Sequence, residues 1–450
     1  MSGKLDRRTF LEIVGAGAGT LAAARAGQEA SGESSQPPNF IMLFADDLGY
    51  GDLSCFGHPT IQTPRLDRMA DEGVKMTSFY ASAPVCSPSR AALMTGRYPP
   101  RCGMPGNTGP GSDNHLPLSE ITIADALKEE GYRTMCIGKW HLGHAKDEYF
   151  PRNRGFDHWF GLPYSNDMRK PWVQTDVPLK LYRDGEPIEH PVNQDTLTER
   201  YTREAMKFIR RSAENPFFLY LPYSMPHLPL HTSKRFRGQS RAGLYGDVIE
   251  TLDWSVGKIL DTLKEEGVDR DTLVVFTSDN GPWLNLPDRM LQEGNERWHA
   301  GSPGPLRGAK GSTWEGGMRV PMVARWPGTL PEGRVSGELA STLDMFPTFL
   351  RAAGAGTPDD RTIDGNDILP LLRGEASSPT DHFYYFRGRQ LQAVRDGTWK
   401  LRQPGEGDEP RLFHLDRDPA EQYNVADGHA DVVSRLQERK QAFESDVSSG

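Results

Sequence analysis

The chain has 450 residues, of which 36% are hydrophobic, and a formal net charge of −9 at pH 7. This length and composition predict a large globular protein, and the acidic balance argues against a general nucleic-acid partner. The four cysteines are too few for a disulfide scaffold, and the lack of a Cys-X-X-Cys pair in the sequence argues against thiolate metal ligands.

Residues 1–36 predict an export signal followed by a linker. Arg7 and Arg8 precede a weakly apolar run over 13–26, which is rich in Gly and Ala and short for a membrane span. Paired arginines before such a run are typical of a twin-arginine (Tat) signal. We therefore expect the Tat export machinery to carry the protein to the periplasm or the medium. A disordered start or an uncleaved anchor is the alternative.

Four apolar runs in the body of the chain each lead into polar residues. They are the segments 40–45, 132–137, 216–221 and 272–277. Runs without polar alternation predict strands that are buried on both faces of a parallel sheet. Helical patterns lie between them, over 63–73, 119–130 and 245–266. This alternation predicts a large, doubly wound α/β domain, which we place at 37–375.

The polar residues after these runs are expected to gather at one edge of the sheet, because ligands of such sheets bind beyond the carboxyl ends of the strands. They are Asp46, Asp47, Lys139, His141, His227, Asp279 and Asn280. The carboxylate and amide oxygens suit Ca²⁺ or Mg²⁺ rather than zinc, and Ca²⁺ is favoured because it accepts irregular geometry. Such an ion would polarise a sulfate or phosphate oxygen. Taken singly, each segment could equally be a turn or an ordinary loop.

The stretch 84–96 predicts a loop that enters a short helix, with Pro88 in its first turn and Gly96 at its end. Cys86 would lie at the helix N-terminus, where the dipole favours negative charge, and Arg90 one turn further along. Cys86 is then either a small buried residue or a thiolate nucleophile with a lowered pKa. A third interpretation is a resemblance. Cys-X-Pro-Ser-Arg followed by Ala-Ala-Leu-Met-Thr-Gly is similar to the signature of the type I sulfatases.

The resemblance extends from Asn39 to about Ala426 and implies an alkaline-phosphatase-like fold. In that family a formylglycine-generating enzyme oxidises the cysteine, here Cys86, to Cα-formylglycine. The hydrate of this aldehyde is the nucleophile that attacks the sulfur of a sulfate ester. The resemblance also implies one Ca²⁺, bound by the oxidised residue together with Asp46, Asp47, Asp279 and Asn280.

The same resemblance implies roles for the basic residues. Arg90 and Lys139 would stabilise the formylglycine hydrate and the bound anion. His141 would assist the release of sulfate. His227 and Lys310 would bind the sulfate and protonate the leaving oxygen.

Lys310 lies in a Gly-rich, basic stretch over 306–321, whose glycine spacing matches neither the Walker A nor the Rossmann pattern. We interpret this stretch as a flexible loop that presents Lys310 to the site. It resembles the sulfatase segment that carries a substrate-binding lysine. Ser165 is a weaker match to a residue that contacts the sulfate.

Residues 376–450 predict a smaller C-terminal subdomain. Short strand-like runs lie at 383–386, 392–395, 399–402 and 412–416. A last helix is expected over 430–445. The pattern favours a small antiparallel sheet with one helix, and it resembles the smaller domain of the sulfatases.

These observations predict a sulfuric ester hydrolase that cleaves a sulfate monoester of a sulfated carbohydrate or an aryl alcohol. Two alternatives stay open. One is a phosphomonoester or phosphonate hydrolase of the same superfamily, and the other is an inactive protein with an unoxidised Cys86 that binds sulfated glycans. The loops 172–191 and 282–305 are predicted to select the substrate.

Overall fold

An eleven-stranded, mostly parallel sheet lies at the centre of the computed structural model, which describes residues 37–405 and 407–449. Its strands are β1 (Asn39–Ala45), β2 (Val74–Tyr80), β3 (Arg133–Lys139), β4 (His158–Leu162), β5 (Leu181–Arg183), β6 (Glu186–Glu189), β7 (Phe217–Pro222), β8 (Thr272–Ser278), β9 (Arg319–Arg325), β10 (Arg334–Ser336) and β11 (Ala340–Ser341). Their order is β10-β2-β9-β8-β1-β7-β3-β4-β5-β6, and β11 also pairs with β2. The predicted twin-arginine signal in 1–36 lies outside the described residues.

The four strands that were predicted from apolar runs, β8, β1, β7 and β3, lie side by side and run parallel. This arrangement confirms the predicted α/β class. β9 runs antiparallel to both of its neighbours, and the hairpin of β5 and β6 extends the other end of the sheet. The sequence pattern does not predict β2 or β9, because Lys75 and Thr77 interrupt the first and Pro321 lies within the second.

Helices cover both faces of the sheet. In the described chain they are α1 (Pro64–Asp71), α2 (Cys86–Thr95), α3 (Ile123–Glu129), α4 (Leu197–Ser212), α5 (Gly243–Glu265), α6 (Glu315–Met318), α7 (Met345–Ala352), α8 (Leu369–Arg373) and α9 (Ala430–Ser449). Alternate residues of β1 point to opposite faces. Ile41 and Leu43 pack in the core with α1, α4 and α5, whereas Phe40 and Met42 pack in the core with α2, α3 and α7. The sheet is therefore doubly wound, as predicted.

Two of the predicted segments need correction. The helix predicted over 119–130 begins at Ile123, because Thr122 is its N-cap. The Thr122 hydroxyl accepts a hydrogen bond from Asp125 N–H, and the Asp125 carboxylate accepts one from Thr122 N–H, both at 3.0 Å. The Gly-rich stretch 306–321 is not a loop throughout, because α6 and the start of β9 form its second half.

A separate four-stranded sheet forms the C-terminal part of the chain. Its strands are β12 (His382–Arg387), β13 (Gln390–Asp396), β14 (Trp399–Arg402) and β15 (Arg411–His414), and each pairs antiparallel with the next. Val433 and Leu436 of α9 pack in one apolar cluster with Leu401. The predicted antiparallel sheet with one helix is confirmed, while the boundary after residue 375 stays a prediction. Within the described residues, no helix combines the length and apolar character needed to span a membrane.

Candidate active site

The carboxyl ends of the parallel strands converge on a buried cluster of charged side chains. The first residues after β1 and β8, the last residue of β3 and the chain after β7 supply part of it, and α2 and the loop before α6 supply the rest. The structure brings together all the residues predicted for the site: Asp46, Asp47, Cys86, Arg90, Lys139, His141, His227, Asp279, Asn280 and Lys310. All except Lys310 are buried.

Two basic side chains bind Asp46. Lys139 Nζ lies 2.9 and 2.8 Å from the two carboxylate oxygens, and Arg90 Nη2 lies 3.3 Å from one of them. Arg90 Nη2 also donates to Asp279 at 2.7 Å, so the guanidinium bridges the ends of β1 and β8. Burial would raise the pKa of Asp46, but Lys139, His227 and Arg90 outweigh it and hold that pKa well below its usual value.

Asp47 lies in a strained backbone conformation with a φ of 67°. Its N–H donates to the Asp279 carboxylate at 3.0 Å, and its own carboxylate oxygens lie 2.7 and 2.8 Å from Lys310 Nζ. His227 Nε2 lies 3.5 Å from the same carboxylate. The three carboxylates of the cluster thus face three permanent cations. The formal charges of these six side chains therefore balance.

Cys86 is the first residue of α2, and Gly96 ends that helix, as predicted, with a left-handed φ of 68°. Cys86 is 1% exposed, and its Sγ lies 3.7 Å from Asp46 Oδ1. Burial raises the pKa of the thiol to about 12 against the opposing effects of Lys139 and Lys310. The interpretation of Cys86 as a thiolate with a lowered pKa is therefore wrong for the unmodified side chain, because burial outweighs the favourable charges around it.

His141 has one free ring nitrogen. Its Nε2 lies 2.9 Å from the Thr108 carbonyl oxygen, so Nε2 is the donor and Nδ1 of the neutral ring is an acceptor. Nδ1 is buried and has no hydrogen-bond partner among the described residues. Burial, followed by the charges of Lys139 and Arg90, holds the pKa of His141 well below its usual value. The side chain is therefore neutral and presents a proton acceptor.

His227 is oriented in the opposite sense. Its Nδ1 donates to the Leu228 carbonyl at 2.5 Å, which turns Nε2 toward Ser165 Oγ at 3.4 Å. Ser165 Oγ also accepts from Lys139 Nζ at 3.3 Å. Burial and the charge of Lys310 lower the pKa of His227. Ser165, the weaker match from the sequence, therefore contacts two of the predicted catalytic side chains.

The cluster is compatible with a bound metal ion. Four side chains place a ligand atom within 4.8 Å of one another: Asp46, Asp47, Cys86 and His227. Asn280 adds a buried amide oxygen that accepts no hydrogen bond from the described part of the chain, while its Nδ2 donates to Asp47 at 2.7 Å. A free buried oxygen beside carboxylates is a suitable ligand for Ca²⁺. Asp279, also predicted as a ligand, accepts hydrogen bonds from Arg90 and from Asp47 N–H, and its role as a ligand stays a prediction.

A buried ion-pair network holds the loop that carries Lys310, and the sequence analysis did not single out its members. Lys400 Nζ lies 2.9 Å from Glu315 and 2.8 Å from Glu421, and it donates to the Thr313 carbonyl at 2.9 Å. Two tyrosine hydroxyls also donate to Glu315. Burial would raise the pKa of Glu315, but Lys400 and two arginines outweigh it and hold that pKa at about 2. The C-terminal sheet thus fixes the chain directly after Lys310.

The two loops that were predicted to select the substrate contact each other, and one of them reaches the cluster. Arg289 donates to the Trp172 carbonyl at 2.9 Å. The Trp283 ring lies 5.3 Å from the His227 ring, between centroids, and 4.8 Å from Lys310 Nζ. Trp283 thus brings the loop 282–305 to the cluster, Arg289 joins that loop to Trp172, and the role of both loops in selection stays a prediction.

Comparison with known proteins agrees with this geometry. The Sulfatase family model matches residues 38–355, and the model of the C-terminal part of N-sulphoglucosamine sulphohydrolase matches 309–446. The chain is 39% identical to N-acetylgalactosamine-6-sulfatase of Canis lupus familiaris, over 93% of this chain and 87% of the relative. It is 38% identical to steryl-sulfatase of Homo sapiens, over 82% of this chain and 71% of the relative.

Among solved structures, Ps i-CgsB in complex with k-i-k-neocarrahexaose is similar, with a TM-score of 0.78 and 30% sequence identity. The similarity covers 91% of this chain and 93% of that one. The fold, the ordered set of polar strand ends and the close relatives lead to one conclusion. The chain belongs to the sulfatase family and is a sulfuric ester hydrolase.

Proposed function

We propose that the enzyme removes sulfate from a sulfated glycan, with Cys86 oxidised to formylglycine and one Ca²⁺ bound beside it. The observation that carries this proposal is the buried oxygen of Asn280, which has no partner in the part of the chain that the structure describes and belongs to the amide whose Nδ2 donates to Asp47. The Ca²⁺ ligands would be the oxidised residue, Asp46, Asp47, Asp279 and Asn280.

The oxidised side chain would supply the attacking oxygen, and Ca²⁺ would withdraw charge from the sulfate oxygens. Arg90 and Lys139 are fixed by their contacts with Asp46, so they would orient the anion with little loss of side-chain entropy. Lys310 contacts Asp47 and would donate to the departing oxygen, and His227 Nε2, which also faces Asp47, would donate when the ring is protonated at both nitrogens.

His141 would act on a different proton from His227. Its Nε2 donates to Thr108, which leaves Nδ1 as the acceptor for a proton taken up when sulfate is released. Ser165 Oγ lies between Lys139 Nζ and His227 Nε2 and would donate to a sulfate oxygen. Hydrogen-bond geometry thus supports the two roles that the resemblance to the sulfatases implies for His141 and Ser165.

A sugar sulfate is the favoured substrate class. The relative N-acetylgalactosamine-6-sulfatase is named for a sugar sulfate, and the Ps i-CgsB structure holds a neocarrahexaose. Because steryl-sulfatase is also a relative, a steroid sulfate serves as the comparison substrate in the test below. We also propose export by the twin-arginine route, motivated by Arg7 and Arg8, because export to the periplasm or the medium would bring the enzyme to extracellular glycans.

The test begins with protein that is produced together with a formylglycine-generating enzyme. Peptide mass spectrometry should find an aldehyde at position 86, and at least one sulfated sugar should be turned over faster than a steroid sulfate. Cys86→Ala should abolish turnover, whereas Cys55→Ala, a control outside the cluster, should retain it. Undiminished sulfate release by Cys86→Ala would end the proposal.

A further inference from the structure

A cavity of 310 Å³ lies at the same edge of the sheet as the active site. Its walls come from the segments 169–179 and 190–194. Because β5 runs antiparallel to β4, β5 starts at the edge where β4 ends, and β6 returns the chain to that edge. The two wall segments precede β5 and follow β6, so the cavity lies beside the carboxyl ends of the parallel strands. Its volume falls within the range of about 300–1,000 Å³ that is usual for ligand sites.

Hydrogen bonds connect the wall of this cavity to the catalytic cluster. Gln194, which lines the cavity, donates from Nε2 to the Asn166 carbonyl at 3.1 Å. Asn166 Nδ2 donates to Pro229 at 3.0 Å and lies 3.5 Å from the His227 carbonyl oxygen. The preceding residue, Ser165, contacts His227 Nε2 at 3.4 Å. One residue therefore separates the cavity wall from the group that would donate to the leaving oxygen.

The chemistry of the wall suits a sugar. Gln194 is 4% exposed, and its Oε1 accepts no hydrogen bond from residues 37–405 and 407–449. Because Nε2 faces a carbonyl oxygen, the amide cannot be reversed to satisfy Oε1. A buried acceptor without a partner is costly, so a ligand hydroxyl or amide N–H that donates to it is favoured. Pro178, Leu179 and Val192 line the same cavity and offer apolar surface to the C–H face of a sugar ring.

The same cavity has a positive rim. Arg169 and Lys170 line it, and Asp176 is the one acidic residue among its lining residues in the described chain. Arg169 Nε has no hydrogen-bond partner in the described ranges, and its guanidinium lies 4.8 Å from the Trp172 ring centroid. Lys170 pairs with Asp176 at 2.6 Å, but both side chains are exposed, and such pairs bind weakly. Arg169 is therefore available to a ligand anion.

A larger cavity of 560 Å³ does not compete for this role. Arg133 and His158 line it, and these are the first residues of β3 and β4. It therefore lies at the amino ends of the parallel strands, at the opposite edge of the sheet from the active site. Of these two cavities, only the 310 Å³ cavity lies at the edge of the sheet where the catalytic cluster lies.

We infer that the 310 Å³ cavity binds a second residue of an anionic glycan, next to the sugar whose sulfate is removed. A hydroxyl or acetamido N–H of that residue donates to Gln194 Oε1, and its carboxylate or sulfate pairs with Arg169. The inference rests on the proposed function, because it assigns a subsite for the same substrate. It makes a sulfated oligosaccharide a better substrate than a small aryl sulfate.

Kinetics on two substrates test the inference. The variants Arg169→Gln and Gln194→Met are compared with Arg211→Gln, a matched control in the opposite cavity. The substrates are a uronate-containing sulfated tetrasaccharide and para-nitrophenyl sulfate. The kcat/KM for the tetrasaccharide, divided by that for para-nitrophenyl sulfate, should fall about 3- to 10-fold in both test variants, mainly because KM for the tetrasaccharide rises. The control should keep the ratio. An unchanged ratio, or an equal loss on both substrates, would overturn the inference.

Direct binding separates a failed subsite from a failed function. In a Cys86→Ala background, which cannot acquire the oxidised side chain, calorimetry should show the tetrasaccharide Kd rising about 3- to 10-fold on adding Arg169→Gln. If the oxidised enzyme released no sulfate from sugars while this Kd still rose, the proposed function would fail and the subsite would stand. If sulfate were released while Kd and the kinetic ratio stayed the same, the subsite would fail and the function would stand.

Discussion

Replacing Lys400 by Met would leave two buried carboxylates, those of Glu315 and Glu421, without the cation they share. Removing one partner of a buried ion pair costs about 3–5 kcal/mol. At about 2.1 cal/mol/K of unfolding entropy per residue over about 400 folded residues, this loss lowers Tm by roughly 4–6 °C. Burial already raises the pKa of Glu421 above its usual value. Because protonation relieves the unpaired charge, the deficit should shrink as the pH falls.

Differential scanning calorimetry measures this loss against a matched substitution. Lys207→Met removes an exposed lysine that lies 3.0 Å from Glu204, and it should change stability by less than about 0.5 kcal/mol. Adding Glu421→Gln to Lys400→Met should recover part of the lost Tm, because one of the two unpaired charges is then absent.

Activity should fall with stability in the same Lys400→Met variant. Lys400 binds the Thr313 carbonyl in the loop that carries Lys310, and a misplacement of about 1 Å can cost on the order of 100-fold in rate. We expect kcat/KM for para-nitrophenyl sulfate to drop by about 10-fold or more at a temperature where the variant is folded. A Lys400→Met protein with the Tm and activity of the parent would refute the reasoning.

Three further predictions concern the metal, pH and export. Asp279→Ala should lower the calcium content measured by mass spectrometry, whereas the control Asp261→Ala should not. Ca²⁺ at 100 times its Kd should stabilise the metal-stripped parent protein by about 2.7 kcal/mol. Unchanged metal content in Asp279→Ala would remove Asp279 from the ligand set. Burial raises the pKa of Asp253 to about 7, so the stability that its neutral form contributes is present below about pH 4 and is lost as the pH rises to 7. The Tm of Asp253→Asn should therefore rise relative to the Tm of the parent between pH 4 and 7. A constant difference in Tm would contradict the raised pKa. Replacing Arg7 and Arg8 by Lys should trap the precursor in the cell, and normal export would indicate another route.

The strand ends could be predicted because local sequence determines them. The apolar run of β1 stops where Asp46 begins, and that of β8 stops at Asp279, so topology alone places both residues at one edge. The position of Cys86 at the start of α2 could be predicted for the same reason, because Pro88 and Gly96 mark the two ends of that helix. These features need no knowledge of distant packing.

Other features depend on contacts between segments that are far apart in the chain. Lys400 and Glu315 are 85 residues apart, and no local pattern joins them. The free nitrogen of His141 is set by the Thr108 carbonyl, which belongs to a loop with no regular structure. The raised pKa of Cys86 results from complete burial, which the sequence of a short helix does not reveal.

The most direct test of the account compares a matched aryl sulfate and aryl phosphate on protein whose Cys86 oxidation has been verified. Both anions are tetrahedral, but at neutral pH the sulfate ester carries one negative charge and the phosphate ester approaches two. We expect kcat/KM to favour the sulfate by more than about 10-fold, or about 1.4 kcal/mol of transition-state free energy, with inorganic phosphate acting as an inhibitor. A higher kcat/KM for the aryl phosphate would contradict the account and favour a phosphoester hydrolase built on the same strand ends.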